Sequence, residues 1–253
     1  MRVAIIAPVT HLMLSVKGDI GFCLAHELVA HPETKKFWRK AHTWTDLVIM
    51  DNGAFEHGIP LDIEELVKIA KGTDVNEIVL PDIPDKPLES YLLSKSALET
   101  LSSKMVRKYR WMYVPHGRSL PDYVKNYENA KHLYDITGPN LTIGLSILDL
   151  WKWNLIGLKR HLVVAYLIKK GKFMYHIHHH LLGLDCPAEL TAYKGSIIRS
   201  VDTSLPISLA VSGKLLGPEE KFHYRAPRRL PSINYYLVNT NIRKLLNMAH
   251  QVI

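Results

Sequence analysis

Short apolar runs alternate with amphipathic stretches along almost the whole chain. The runs that predict strands are Val3–Ala7, Leu47–Met50, Glu77–Leu80, Trp111–Val114, Leu141–Ile143, Phe173–Ile177 and Ser196–Val201. Helical spacing of apolar residues follows or separates them, at Phe22–Ala30, Thr34–Lys40, Leu61–Ala70, Leu88–Leu101, Pro121–Leu133, Leu155–Lys169, Ala188–Tyr193 and Asn234–Val252. Seven strand–helix units joined by short loops favour a parallel α/β sheet with right-handed crossovers.

The pattern leaves the closure of this sheet open. An eighth strand has room only within residues 215–230, where Pro218 and Pro227, with Pro231 directly after, predict loop. An open, doubly wound sheet is therefore an alternative to a barrel, although such sheets usually have a glycine-rich first turn and Pro8-Val9-Thr10-His11 follows the first strand here. We predict a single TIM (β/α)8 barrel over residues 1–253, irregular at its eighth strand.

Composition narrows the class of protein. The chain has 253 residues, of which 47% are hydrophobic and 22% charged, as in a soluble globular protein. No apolar run reaches the roughly 18 residues of a membrane span, and the N-terminal run is too short for a signal peptide. Only two cysteines, Cys23 and Cys186, are present, which favours a reducing cytoplasm over a disulfide scaffold. A net charge of +8 favours a polyanionic partner such as a nucleic acid.

Polar residues and glycines recur where the predicted strands end. They are Asp51, Asp82, His116 with Gly117, Gly144 to Ser146, the His178 to His180 cluster with Leu182 and Gly183, and Asp202. In a barrel, the C-terminal strand ends converge on one mouth. Paired carboxylates at such a mouth are suited to glycosidic chemistry, in which one is a nucleophile and the other an acid and base. Each aspartate could instead be an ordinary turn residue.

Six of these segments, in order along residues 47–206, resemble the motifs of the tRNA-guanine transglycosylase superfamily. Met50-Asp51-Asn52-Gly53-Ala54-Phe55-Glu56 resembles its Asp-Ser-Gly-Gly-Phe-Gln motif, and Ile78-Val79-Leu80-Pro81-Asp82 resembles its second aspartate strand. Val114-Pro115-His116-Gly117, Ile143-Gly144-Leu145-Ser146 and His180-Leu181-Leu182-Gly183-Leu184 are similar to its Gln-Gly, Gly-Gly-Leu-Ala and Tyr-Leu-Met-Gly-Val segments. Ser200-Val201-Asp202-Thr203-Ser204-Leu205-Pro206 resembles the segment that carries the family's nucleophile.

Several departures from the family pattern point to a subgroup. The cysteines of the family's zinc subdomain have no counterpart, because no cysteine follows Cys186. His116 stands where the family has glutamine, and Ile207-Ser208 replaces the Thr-Arg that follows the family's proline. This trimmed pattern is similar to the short phage and bacterial DNA-guanine transglycosylases, which insert 7-deazaguanine derivatives into DNA. Action on tRNA is the alternative within the family.

The resemblance implies a two-step base exchange that uses no cofactor. Asp202 would attack C1′ of a guanosine nucleotide and displace guanine, and Asp51 would handle the protons. A 7-deazaguanine base such as preQ0 would then replace the guanine. The base pocket would comprise Gly53, Phe55, Asp82, His116, Gly117, Gly144, Leu145, Leu182 and Gly183, with Asp82 on the N–H edge of the base and Phe55 and Leu182 on its faces.

Two other groups of residues suggest binding functions. A late basic segment with interleaved aromatics, comprising Lys214, Lys221, Arg225, Arg228 and Arg229, is predicted to hold DNA phosphates or to be an ordinary solvated loop. His176, His178 and His180 would share one face of a strand and could bind zinc in a metal-dependent hydrolase, although we predict no metal. Besides a transglycosylase and a metal-dependent hydrolase, the protein could be a non-catalytic homologue that binds nucleic acid.

Overall fold

The computed structural model describes residues 1–147, 160–184, 186–193, 197–218, 220 and 233–251. The strands are β1 (Arg2–Ile5), β2 (Gly21–Leu24), β3 (Val48–Asp51), β4 (Glu77–Val79), β5 (Arg110–Tyr113), β6 (Leu141–Ser146), β7 (His178–Leu182) and β8 (Ser200–Thr203). The helices are α1 (Ala25–Ala30), α2 (Lys35–Trp38), α3 (Ala54–His57), α4 (Ile63–Ala70), α5 (Pro87–Thr100), α6 (Ser103–Lys108), α7 (Leu120–Glu128), α8 (Ala130–Thr137), α9 (Arg160–Lys169), α10 (Leu205–Val211) and α11 (Tyr235–His250). Short 3-10 helices cover Val9–Lys17, Pro32–Thr34, Ala41–Thr43, Gly138–Asn140 and Pro187–Ala192.

All eight strands are parallel and form one sheet in the order β1-β8-β7-β6-β5-β4-β3-β2. Its two edges meet at a parallel bridge between Ala4 and Ile20, where the Ile20 N–H donates to the Val3 carbonyl at 3.4 Å. The sheet therefore closes almost completely, with an irregular seam between β1 and β2. This confirms the predicted TIM-like α/β barrel and excludes the open, doubly wound alternative.

The strand missing from the sequence pattern is β2, and the prediction that it lies within residues 215–230 is wrong. Residues 221–230 lie outside the described residues, and Leu215 to Pro218 form no strand. The helix predicted over Phe22–Ala30 is also wrong in its first part, because Gly21–Leu24 is a strand and only Ala25–Ala30 is helical. The apolar residues continue from strand into helix without a break, so periodicity does not show the boundary.

The histidine cluster also lies within a strand rather than after one. Phe173–Ile177, predicted as the sixth strand, precedes β7, which begins at His178. His179 is buried against Tyr127, whose hydroxyl lies 2.8 Å from its Nε2, and burial lowers the pKa of His179 to about 3. A neutral, hydrogen-bonded imidazole can occupy a buried strand position, which a hydrophobicity pattern alone does not anticipate.

Two apolar layers hold the barrel together. Ala4, Phe22, Ile49, Val79 and Met112 fill the barrel interior, and a larger cluster packs the outer face of the sheet against the helices. The interior layer leaves the C-terminal ends of the strands for polar side chains, as in other barrels of this kind. Among the described residues, no helix has the length and apolar character required to cross a membrane.

Candidate active site

A cavity of about 280 Å³ opens at the C-terminal ends of the strands. It has apolar walls, including Ile6, Phe22 and Leu182, and a concentration of carboxyl groups. The carboxyl groups that line it belong to Glu27, Asp51, Glu56, Asp82 and Asp202. The volume is near the lower limit of small-molecule pockets, and a few polar groups in an apolar cavity are typical of a small-molecule binding site.

Asp51 ends β3 and faces this cavity half-buried. Its Oδ2 accepts a hydrogen bond from the Gly53 N–H at 3.1 Å, in a turn where Gly53 has a φ of +81°. Burial, together with repulsion from the neighbouring carboxyl groups, raises the pKa of Asp51 to about 8 despite the opposing effect of the Gly53 hydrogen bond. At neutral pH Asp51 therefore holds a proton, which is the state that a general acid requires.

Asp202 lies in β8 and is buried at the other side of the sheet closure. Its Oδ1 accepts a hydrogen bond from the Gly183 N–H at 3.0 Å and lies 3.0 Å from His180 Nε2. Within the described part of the chain, these bonds all end on Oδ1. The Asp202 side chain lines the cavity, and its second oxygen, Oδ2, takes part in neither of these two contacts.

Asp82 forms a separate buried cluster on the cavity wall. Its Oδ2 lies 2.5 Å from His116 Nε2, and its Oδ1 accepts from Asn52 Nδ2 at 2.5 Å. Asn52 also donates to the Leu80 carbonyl at 2.7 Å and accepts from the Ala54 N–H at 2.7 Å. This network ties the end of β3 to the loops after β4 and β5 and fixes the carboxyl of Asp82 at the cavity.

The predicted base-pocket residues divide into two groups. Phe55, Asp82, His116, Leu182 and Gly183 line the cavity together with both proposed catalytic aspartates, Asp51 and Asp202. The others lie behind it and are Gly53, Gly117, Gly144 and Leu145.

Three residues behind the cavity have packing contacts that explain their type. A Cβ on Gly117 would lie 2.5 Å from the backbone of Tyr123, and one on Gly144 would lie 2.8 Å from the side chain of Leu182. Leu145 packs in the outer layer between sheet and helices. These residues shape the backbone around the cavity without contributing to its surface.

Sequence reasoning missed four side chains of the site: Glu27, Asn52, Glu56 and His180. Glu27 lies in α1, which directly follows β2. Because β2 was not predicted, nothing in the sequence pattern placed Glu27 at the cavity. Asn52 and Glu56 stand within the quoted Asp51 motif, so their position after a strand end was the available signal. The sequence pattern suggested His180 only as a metal ligand or as part of a pocket wall.

The three histidines that suggested a zinc site are far from equivalent. His180 is buried and bonded to Asp202 and Ser200, whereas His178 is exposed at the start of β7. His176 precedes the strand and packs edge-on against Tyr134. The described residues contain no group of three or more His, Cys, Asp or Glu side chains placed to hold a metal ion.

Of the five predicted phosphate-binding residues, only Lys214 is among the described residues. Lys214 is exposed beyond the end of α10 and does not line the cavity. The other four predicted residues, Lys221, Arg225, Arg228 and Arg229, lie outside the described residues.

The fold and the site define an α/β barrel with a carboxyl-lined cavity at its C-terminal mouth. No model of a known protein family matches the sequence, and no curated protein matches it either.

Proposed function

We propose that this protein is a base-exchange transglycosylase that replaces guanine in DNA with a 7-deazaguanine derivative. The observation that carries the proposal is the pairing of Asp51 and Asp202, which lie on strands far apart in sequence and line one cavity. One of them has a pKa near 8, and the other has one oxygen held by two donors. Two carboxyl groups that line one cavity, one of them with a raised pKa, are typical of an acid–nucleophile pair.

The first step transfers the sugar to the enzyme. Asp202 attacks C1′ of the target nucleotide, a C1′–O bond forms, and the bond between C1′ and N9 of guanine breaks. The electron pair of that bond leaves with guanine, and Asp51, protonated at neutral pH, donates its proton to the departing base. A glycosyl ester on Asp202 and an ionised Asp51 result.

The second step is the reverse with a different base. Asp51, now a carboxylate, removes the N9 proton of the incoming 7-deazaguanine. N9 attacks C1′, and the C1′–O bond breaks and restores the Asp202 carboxylate. Two inversions at C1′ retain its configuration, as in retaining glycosidases.

The Asp82 cluster is suited to recognise the edge of the base. Asp82 and His116 both line the cavity and are hydrogen-bonded to each other, and Asp82 also accepts a hydrogen bond from Asn52. Buried polar groups with fixed positions discriminate well against ligands that leave them unpaired. Phe55, 43% exposed at the cavity mouth, and Leu182 supply apolar contacts to a flat ring.

The charge distribution supports a polyanionic substrate whose base alone enters the cavity. The chain carries a net charge of +8, yet carboxyl groups dominate the charged residues of the cavity lining. Phosphates would therefore remain outside and the target nucleotide would be flipped in, at a cost of a few kcal/mol for a paired base. DNA is favoured over tRNA because the sequence is similar to the trimmed DNA-modifying subgroup.

The test is exchange of labelled guanine, and of labelled preQ0, into duplex DNA, single-stranded DNA and tRNA. We expect incorporation into DNA by the wild-type protein and none by Asp202→Ala, whereas Asp135→Asn, a change at an exposed helical position, keeps full activity. Incorporation into tRNA alone would overturn the choice of DNA. Equal exchange by Asp202→Ala would overturn the mechanism.

A further inference from the structure

We propose that four side chains inside the barrel, Glu77, Arg199, Ser200 and His180, form a polar line that orients the carboxylate of Asp202. His180 and Ser200 are its positioning residues, and neither is among the residues that line the cavity. The consequence for reaction rate rests on the proposed function, whereas the protonation pattern along the line does not.

The line begins at an ion pair whose geometry allows little freedom. Both terminal nitrogens of the Arg199 guanidinium donate to Glu77, at 2.8 Å each, and Glu77 is completely buried. One of these nitrogens also donates to Thr142 Oγ1 at 3.3 Å, and Arg199 Nε donates to Ser200 Oγ at 3.2 Å. A bidentate pair of this kind fixes the plane of the guanidinium and therefore the direction of its Nε–H.

The donors and acceptors then set the position of the proton on His180. Arg199 can only donate, so Ser200 Oγ accepts from it and its single hydroxyl hydrogen is left to donate. The partner at 2.7 Å is His180 Nδ1, which accepts that hydrogen and is therefore unprotonated. The other ring nitrogen, Nε2, lies 3.0 Å from Asp202 Oδ1 and must carry the proton to donate to a carboxylate.

An imidazolium ring fits the same contacts less well. With Nδ1 protonated, Ser200 Oγ would accept from both Arg199 and His180. Its hydroxyl hydrogen would then lack an acceptor, because the described residues give this oxygen only those two side-chain partners. His180 is thus a neutral donor with its proton on Nε2.

The two oxygens of the Asp202 carboxylate therefore differ in their hydrogen bonds. The donors from His180 and Gly183 both bind Oδ1 of Asp202. The His180 ring stacks at 10° on the ring of Phe22, with centroids 5.9 Å apart, which holds the plane of the donor. The buried Arg160 donates to the Leu182 carbonyl at 2.8 Å and to the Gly183 carbonyl at 2.5 Å, and the first of these bonds fixes the peptide unit that carries the Gly183 N–H. The geometry leaves Oδ2 to act as the attacking atom.

Two ways of changing His180 separate orientation from packing. His180→Gln keeps an N–H donor near the position of Nε2, whereas His180→Leu fills a similar space with no donor. We expect His180→Leu to lower kcat about 10- to 100-fold, the usual effect of removing an orienting partner, with little change in KM. His180→Gln should keep most of the wild-type kcat.

Ser200→Ala tests the next position in the line. It removes the hydroxyl that sets the His180 proton but leaves His180 in place, so kcat should fall, though less than in His180→Leu. Thr137→Ala is the matched control, because it also removes a buried hydroxyl hydrogen bond and lies in α8, outside the cavity lining. Equal kcat in Ser200→Ala and Thr137→Ala, or equal losses in His180→Gln and His180→Leu, would overturn the positioning role.

Nitrogen-15 NMR of histidine-labelled protein provides a readout that needs no substrate. The His180 ring signal, assigned by its absence in His180→Gln, should show protonated Nε2 and unprotonated Nδ1 at pH 7.5, and Ser200→Ala should lose this single form. A wild-type ring protonated on Nδ1 would overturn the proposal. Failure of base exchange together with the expected tautomer would reject the proposed function and leave the polar line supported.

Discussion

Replacing Asp51 by asparagine changes how stability depends on pH, and the sign follows from the site. Asp51 ionises near pH 3.8 in the unfolded chain and near pH 8 in the folded protein. Between these values the folded state binds more protons, so the free energy of unfolding falls as pH rises. An asparagine side chain at this position cannot ionise, so the Asp51→Asn variant lacks this loss and gains stability over the wild type with increasing pH.

The size of this change in the free energy of unfolding follows from the difference between the two pKa values of Asp51. Each pH unit within this window corresponds to at most about 1.36 kcal/mol, which gives an upper limit of about 3.4 kcal/mol between about pH 5 and pH 7.5. Water in the open cavity screens the half-buried side chain, so we expect a gain of about 1–2 kcal/mol for Asp51→Asn over this range. Asparagine can still accept the Gly53 hydrogen bond, which limits other effects of the substitution.

Urea unfolding at pH 5.0, 6.0, 7.0 and 7.5 measures this difference. Asp135→Asn serves as the control, since it also removes one carboxyl group but at an exposed position. We expect the free-energy difference from the wild type to grow with pH for Asp51→Asn and to stay nearly constant for Asp135→Asn. Parallel curves for the wild type and Asp51→Asn would refute the account of the site's electrostatics.

The remaining predictions concern packing around the cavity. Gly117→Ala places a methyl group 2.5 Å from the Tyr123 backbone and should destabilise the protein by about 1–3 kcal/mol in thermal unfolding, whereas Gly72→Ala, whose methyl group would lie 3.4 Å from the Ile69 carbonyl oxygen, should cost much less. Arg160→Met leaves the Glu189 carboxylate buried without its ion pair and should cost about 3–5 kcal/mol in urea unfolding, and a second change, Glu189→Leu, should recover part of that loss. An unchanged unfolding midpoint in Gly117→Ala or Arg160→Met would contradict these contacts.

The periodicity of the chain was sufficient to predict most of the barrel. Runs such as Leu47–Met50 and Trp111–Val114 are buried on both faces, so an unbroken apolar run marks them as parallel strands. They lie within one or two residues of β3 and β5. The prediction of convergent strand ends followed from the fold, because the C-terminal ends of parallel barrel strands necessarily share one rim.

The sequence pattern did not predict β2 and misplaced β7, because the burial of both strands depends on tertiary partners. Gly21 in β2 packs with its Cα near Trp38 and Trp44, where a Cβ would lie 3.0 and 3.2 Å from their rings, and this contact comes from residues later in the chain. His179 and His180 in β7 are buried because Tyr127 and Asp202 bond to them. Local patterns carry no information on such partners, so the polar residues of β7 resemble a cluster that follows a strand.

The same limit applies to the candidate site. The sequence motifs indicated Asp51, Asp82 and Asp202, since a carboxylate after a buried strand is a local signal. They did not distinguish residues on the cavity surface from glycines behind it, because that depends on contacts formed only in the folded chain, such as Tyr123 beside Gly117 and Leu182 beside Gly144. The difference between the two oxygens of Asp202 arises from donors on β7 and its following loop and could only be found in three dimensions.

Trapping of the covalent intermediate tests the central claim most directly. The wild-type protein, incubated with guanine-containing DNA and no free base and then denatured, should carry a sugar adduct on the tryptic peptide 200–214, which is released by cleavage after Arg199 and after Lys214. Asp202→Ala should form no adduct, and added preQ0 should discharge the wild-type adduct into modified DNA. An adduct on any other peptide, or one that persists in Asp202→Ala, would contradict the assignment of Asp202 as the nucleophile of a base-exchange enzyme.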